Sequence, residues 1–509
     1  MLAVSPASSF SIVLANEQAT RRLAADLASV LKPGDLVTLS GDLGAGKTAF
    51  ARALIRHLAG NETLDVPSPT FTLVQTYALP RFTVVHADLY RVTHAGELAE
   101  LGVDETAENA VVLLEWPDRA AEVLPPDRLD IAFTLAPHLG PNQRNAELTG
   151  HGAFAPRVER LAALRHFLIQ EGMAAASRTR VQGDASTRIY ERLTHQGQKF
   201  VLMNAKRRPD GPPVRGGLPY SAIAHLAEDV KPFVAMARAL RERGLSAPQI
   251  HAADLDEGFL LLEDLGTECV VDGDPPTPIE ERYTAAVDVL VELHRQPAAA
   301  TLTIAPGVDY RLPPYDIDAF LIEAELLLDW YVPHRDGLVT AAERSEFTAL
   351  WREALSHAYD QPATWVLRDY HSPNLLSLPQ RKGLARVGLL DFQDALMGPA
   401  PFDLVSILQD HRVDVPEQME IALLGRYVKA RLDADRDFPT SDFVELYVTL
   451  GALRATKNLG IFARLDKHDG KPQYLRHIPR LWRYLRRALI HPAMGDLKAW
   501  YDAHVPPPQ

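Results

Sequence analysis

Apolar positions change their period twice along this chain. Through about residue 135, short apolar runs alternate with helical stripes. Leu36-Val-Thr-Leu-Ser40 reads as a strand. In Ala49–Leu58 the residues Phe50, Leu54, Ile55 and Leu58 share one helical face, and Gly60 suits the C-terminal cap. Val84–His86, Val111–Leu114 and Leu129–Thr134 are apolar runs of strand length, fit for burial in a parallel sheet. The pattern predicts a three-layer α/β domain. Residues 136–157 are rich in Pro and Gly with weak periodicity and read as a flexible linker between independent halves. A helix is predicted from about Val158, with Leu161, Leu164 and Leu168 in phase and Gly172 beyond. Thr187–Leu193 and Lys199–Asn204 read as one hairpin, Ile250–Ala253 and Phe259–Glu263 as another. After Leu265-Gly266 the pattern is mainly helical. The second half is therefore expected to be a two-lobed α+β domain, small sheet lobe first. The expected division is 1–150 and 151–509.

Composition narrows the class. Hydrophobic residues make up 47% and charged residues 23% of the 509, as in a globular protein. The one cysteine, Cys269, excludes a disulfide framework and a cysteine zinc site. The N-terminus lacks the pattern of a signal peptide, and no apolar run has the length of a membrane span, so a cytoplasmic location is expected. Residues 1–150 hold 11 basic and 18 acidic residues; the remainder is also acidic. Neither half is expected to grip nucleic acid strongly by its own charge.

Gly41-Asp-Leu-Gly44-Ala-Gly46-Lys47-Thr48 stands between the predicted strand and helix. Such a loop wraps phosphates in backbone N–H groups at a helix N-terminus. Lys47 would bridge the β/γ-phosphates of ATP, and Thr48 would offer its hydroxyl to Mg²⁺. The competing reading is a chance glycine-rich turn. A loop of this kind needs an acidic strand end near the metal. Glu115, after Val111–Leu114, fits the metal or its water; Asp88, after Val84–His86, fits a group that orients the nucleophile. Either could instead be a cap or a surface charge. With Pro67-Ser68-Pro69-Thr70-Phe71-Thr72, His86-Ala-Asp88-Leu-Tyr90-Arg91 and Leu114-Glu115-Trp116-Pro-Asp-Arg119, the loop resembles the TsaE family over residues 10–135. That resemblance implies an ATPase supporting threonylcarbamoyladenosine formation at position 37 of certain tRNAs. It implies TsaD- and TsaB-like partners, with Ser68-Pro69-Thr70 as a nucleotide-sensing loop.

The second set of motifs is Arg368-Asp369-Tyr-His-Ser-Pro-Asn374, then Leu389-Leu-Asp391-Phe392, then Gly398-Pro-Ala-Pro-Phe-Asp403. In a kinase one aspartate accepts the acceptor's proton, and an asparagine five residues on and a later aspartate hold Mg²⁺. Asp369, Asn374 and Asp391 have that spacing; Asp403 suits a residue that orients the loop. Residues 160–490 resemble the aminoglycoside phosphotransferase family. Gly183-Asp-Ala-Ser-Thr-Arg188-Ile-Tyr190, Phe200–Asn204, Leu262-Glu263-Asp264-Leu265-Gly266 and Tyr315–Tyr331 are most similar to its anomeric amino-sugar kinases. The resemblance implies phosphorylation of the C1 hydroxyl of N-acetylmuramate or N-acetylglucosamine, with Glu263–Gly266 as the adenine hinge. Two positions depart from the family pattern. Leu367 replaces the frequent histidine of the loop, and Met203 stands where a phosphate-contacting lysine is usual. Arg188, Lys199 or Lys206 could substitute. Trp330, Tyr331 and Glu325 could form a sugar platform or simply pack, and His371 reads as structural. The competing functions are an ATP-gated assembly module with little turnover for the first half, and a kinase for an aminoglycoside, choline or an amino alcohol, or an inactive scaffold, for the second.

Overall fold

The computed structural model describes residues 7–92, 109–138, 140, 142–181 and 188–508. The chain forms two compact units, Met1–Asn204 and Ala205–Gln509. In the first, a seven-stranded sheet runs in the order β1-β7-β6-β2-β5-β4-β3. Its strands are β1 (Ala7–Leu14), β2 (Leu36–Ser40), β3 (Val74–Ala78), β4 (Thr83–Asp88), β5 (Ala110–Glu115), β6 (Arg128–Leu135) and β7 (Arg144–His151). The central four, β6-β2-β5-β4, are parallel, and β1, β7 and β3 join antiparallel. The apolar runs at 36–40, 84–86, 111–114 and 129–134 thus lie in the parallel centre. β5 is buried at every position, as a strand covered on both faces must be.

Helices α1 (Glu17–Val30), α2 (Lys47–Ala59) and α3 (Ala155–Gln170) feed one core with Val37, Leu39, Leu113 and Ile131. α1 begins at Asn16, whose side chain accepts from Ala19 N–H, and α2 ends at Gly60 in the left-handed conformation. The parallel order brings the C-terminal ends of β2, β4 and β5 side by side, with Asp88 directly opposite Glu115.

The linker expected at 136–157 is largely regular structure. β7 pairs along its whole length with both β1 and β6, and α3 starts at Ala155. Gly, Pro and Asn at the segment's ends hid the alternation in its middle, where Ala146, Leu148 and Gly150 point inward. Gly150 permits a close approach: a Cβ there would meet Val158 Cγ2 at 2.6 Å.

After α3, the first unit closes with β8 (Ser177–Val181), β9 (Ile189–His195) and β10 (Gln198–Asn204), paired antiparallel. The predicted hairpin is β9–β10, turned at Gln196-Gly197 with both φ angles positive. Gly183–Thr187 lies outside the described residues.

The second unit carries the other predicted hairpin, β11 (Ile250–Asp254) with β12 (Phe259–Glu263), and is otherwise mainly helical. Two short ladders frame its candidate chemistry: β13 (Thr364–Val366) with β16 (Leu396–Gly398), and β14 (Leu375–Ser377) with β15 (Val387–Leu389). The long helix α4 (Thr440–Lys467) runs through the core. At Gly460 it lies against the backbone of Leu326, where no Cβ fits. Gly460→Ala should therefore cost about 1–3 kcal/mol of stability despite alanine's better helix propensity. A thermal unfolding scan showing no loss of Tm would contradict that packing.

Candidate functional site

In the first unit, Gly41, Gly44 and Gly46 all have positive φ, and a Cβ on Gly41 would collide with the Phe133 carbonyl. The loop therefore requires glycine and leaves its backbone N–H groups uncovered by side chains. Lys47 Nζ donates to Gly41 O at 2.7 Å and Asp42 O at 3.0 Å, and sits 3.6 Å over the Trp116 ring. Burial pushes its ammonium pKa down, while Glu115, Asp88 and Asp42 pull the other way. Thr48 Oγ1 donates to Glu115 Oε2 at 2.9 Å. The second oxygen of Glu115 lies 2.9 Å from His86 Nε2, so this buried carboxylate is held on both sides. Asp88 accepts from Thr70 Oγ1 and from the Tyr90 backbone N–H, each at 2.9 Å. The Ser68-Pro69-Thr70 loop is thereby tied to a strand end beside the phosphate-binding loop.

Gly44, Gly46, Lys47, Thr48, Asp88 and Glu115 line one cavity of about 810 Å³. The roles of His86, Trp116 and Arg144 were not read from sequence. Arg144 Nε donates to Ala45 O at 3.1 Å, bracing the loop from β7. No motif marks it, because it comes from a strand hidden in the apparent linker.

In the second unit, Asp369 follows β13 and Asp391 follows β15. Asn374 Nδ2 donates to Asp369 O at 2.9 Å and lies 3.5 Å from Asp391 Oδ2. Asp391 and Arg368 both adopt left-handed backbone, a strain that clusters at working sites. Asp403 accepts from the N–H groups of Leu367 (2.6 Å) and Arg368 (2.9 Å), fixing the loop from beneath. The Asp369 side chain is 44% exposed. Partial burial, then the charge of Asp391, push its carboxyl up to about 6. His371 is pushed down to about 3 by burial and by Arg412, which fits a structural role.

Sequence reasoning missed the charges behind the loop. Glu323 pairs with Arg368, with Lys457 Nζ at 2.7 Å and with Tyr315 OH at 2.5 Å. Burial alone would raise its pKa, but Arg368 and Lys457 outweigh that and hold it near 2. Asp410 accepts from Ser372 N–H at 2.9 Å. Glu323 and Lys457 lie on distant helices with no local motif, so nothing in their neighbourhoods signalled them.

Other expected site residues stand as follows. Glu263 ends β12; its N–H donates to Gln249 O at 2.8 Å and its carboxylate pairs with Arg381. Leu265 is buried with Leu376 and Leu378. Arg188 is half-buried just before β9. Tyr331 is fully buried and stacked on Trp482, and Glu325 pairs with Arg215 and Arg344. Among the described residues no three His, Cys, Asp or Glu side chains converge as a resident metal site would require. A Mg²⁺ ion that arrives with phosphates needs only one or two protein ligands. The pairs Thr48/Glu115 and Asn374/Asp391 supply oxygen donors of that kind.

A glycine loop before a helix with two acidic strand ends defines a P-loop nucleotidase site. An Asp–Asn–Asp set on two short ladders defines a kinase-like phosphotransferase site. Comparison with known proteins agrees. The profile of "Threonylcarbamoyl adenosine biosynthesis protein TsaE" matches residues 14–144, and that of the "Phosphotransferase enzyme family" matches residues 177–443. The chain belongs to both families, each through its own part. It is 40% identical to an N-acetylmuramate/N-acetylglucosamine kinase of Caulobacter vibrioides over 361 residues, 68% of this chain and 97% of that protein. A kinase of the same description from Pseudomonas aeruginosa is 34% identical over 62% of this chain and 84% of its own length. A TsaE of Rickettsia felis is 44% identical over 120 residues, 24% of this chain and 70% of that protein.

The charges set a pH dependence. A base must be ionised, so phosphotransfer (kcat/KM) should rise with pH through an apparent pKa near 6. The raised pKa also means that ionised Asp369 opposes folding: its contribution to stability is full well below pH 4 and is lost as pH rises through about 6. Asp369→Asn should therefore raise Tm at pH 8 and leave it unchanged at pH 4. Equal shifts at both values would contradict the electrostatic reading.

Proposed function

We propose that this chain is a bifunctional enzyme: an ATPase supporting threonylcarbamoyladenosine modification of tRNA, and an ATP-dependent kinase for N-acetylmuramate or N-acetylglucosamine. The functional division falls near residue 150, between the two family matches. The observation that carries the kinase reading is the meeting of Asp369, Asn374 and Asp391 in a chain 40% identical to a kinase of that name.

Asp369 accepts the proton of the sugar's anomeric hydroxyl as that oxygen bonds the γ-phosphorus of ATP and the bond to ADP breaks. A carboxyl near pKa 6 is ionised at neutral pH yet basic enough to help. Asp403 and Glu323 keep the loop in place. Asn374 and Asp391 would hold Mg²⁺, which neutralises phosphate charge. Glu263–Gly266 forms the adenine hinge, and Arg188 stands in for the usual strand lysine.

In the first site Gly41, Gly44 and Gly46 open the cradle, and Lys47 exchanges its carbonyl partners for phosphate. Thr48 and Glu115 would hold Mg²⁺, and Asp88 orients the attacking water. TsaD- and TsaB-like subunits are the partners, and they supply the tRNA-binding surface. No described helix is long and apolar enough to cross a membrane, and a cytoplasmic location suits both ATP-dependent reactions.

With ATP and N-acetylmuramate or N-acetylglucosamine, the expected product carries phosphate on C1 by NMR. Phosphate on C6, or turnover only with an aminoglycoside or choline, would overturn the sugar assignment. Asp369→Asn should lower this turnover roughly 10²-fold or more while sugar and ATP still bind. In the first site, Lys47→Ala should abolish nucleotide binding in calorimetry, and Glu115→Ala should impair hydrolysis more than binding. Unchanged affinity in Lys47→Ala would overturn the loop assignment.

A further inference from the structure

Residues 145–176 fall between the two family matches, and their packing joins what the matches separate. Val158 and Leu161 of α3, and Phe154 just before it, enter the same apolar core as Phe50, Leu54 and Ile131 of the P-loop domain. Arg160, also on α3, donates to Asn204 Oδ1 at 2.6 and 3.1 Å, at the end of β10. One helix therefore holds the P-loop sheet with one set of positions and the first strands of the phosphotransferase match with another.

The charges around α1 complete the joint. Asp26 on α1 is 2% exposed and pairs with Arg165 of α3 and Arg178 of β8. Arg178 also reaches Glu191 of β9 at 2.5 Å. Burial alone would lower the Arg178 pKa; Glu191 and Asp26 outweigh it and keep the guanidinium charged. Arg180 of β8 donates to Ser29 O at 3.5 Å, and Arg157 of α3 donates to Val30 O at 3.1 Å. Arg157 also makes a bidentate pair with Asp35, at 2.6 and 2.8 Å. The carbonyl end of a helix, its negative pole, is thus gripped by guanidiniums from α3 and β8. Domains joined by a loose tether keep such charges in water. Here Asp26, Arg178 and Glu191 are sealed, and removing one partner leaves another buried without compensation.

We infer that the P-loop domain is a built-in brace for the first strands of the phosphotransferase match: α1, α3 and β8–β10 fold as one cooperative unit, locked by the Asp26–Arg178–Glu191 joint. A nucleotide bound to the native P-loop also stabilises the strands of the other enzyme by linkage.

The test uses the full-length chain. Asp26→Asn and Arg178→Gln are introduced singly, and backbone amide exchange is followed by mass spectrometry. Both variants should speed exchange in β8 and β9 at least tenfold relative to the parent. Folded variants with exchange in β8 and β9 unchanged from the parent would overturn the inference. Should either variant fail to fold, the parent decides. A shared opening rate for α1, α3, β8 and β9 supports the brace; β8 and β9 exchanging a hundredfold faster than α1 overturns it.

Discussion

A carboxylate taken out of water is stable only when cations or N–H donors surround it, and the working parts of this chain are arranged around that requirement. Glu115 is buried between Thr48 and His86, and so fixes the end of β5 against the phosphate-binding loop. Asp403 is buried beneath two backbone N–H groups and so sets the left-handed turn that presents Asp369. Glu323 draws Arg368 and Lys457 behind the same loop. Asp26 draws α3 and β8 onto α1. In each case the compensating group comes from an element far away in sequence. Satisfying the charge is what locks the local geometry.

This constraint explains why two phosphoryl-transfer sites in one chain look so different. The P-loop uses backbone N–H groups and one lysine, so it needs glycines and a helix N-terminus but few side chains. The kinase-like site uses carboxylates and an amide, so it needs the buried network that keeps like charges such as Asp369 and Asp391 close together. Burial first, and then the charge of Asp391, raise the Asp369 carboxyl to about 6.

The central strands β2, β4, β5 and β6, the helix α2 and the hairpin β9–β10 were legible because each is apolar with a regular period and bounded by glycine or turn residues. The site motifs were legible because phosphate chemistry fixes residue types at short spacing. β7 was not, because Gly, Pro and Asn flank a strand whose inward positions, Ala146, Leu148 and Gly150, are small or few. Its loss from the reading turned an interlocked segment into an apparent linker, and hid Arg144 with it. Lys457 and Glu323 were illegible for another reason. Their partners are set by tertiary packing of helices more than a hundred residues apart, and no local pattern encodes that.

The central claim is that the two sites are separate and both bind nucleotide. Its most direct measurement is the number of non-hydrolysable ATP analogues bound per full-length chain, read by native mass spectrometry with Mg²⁺ present. The account predicts two per parent chain and one per Lys47→Ala chain. One per parent chain, or none in Lys47→Ala, would contradict it.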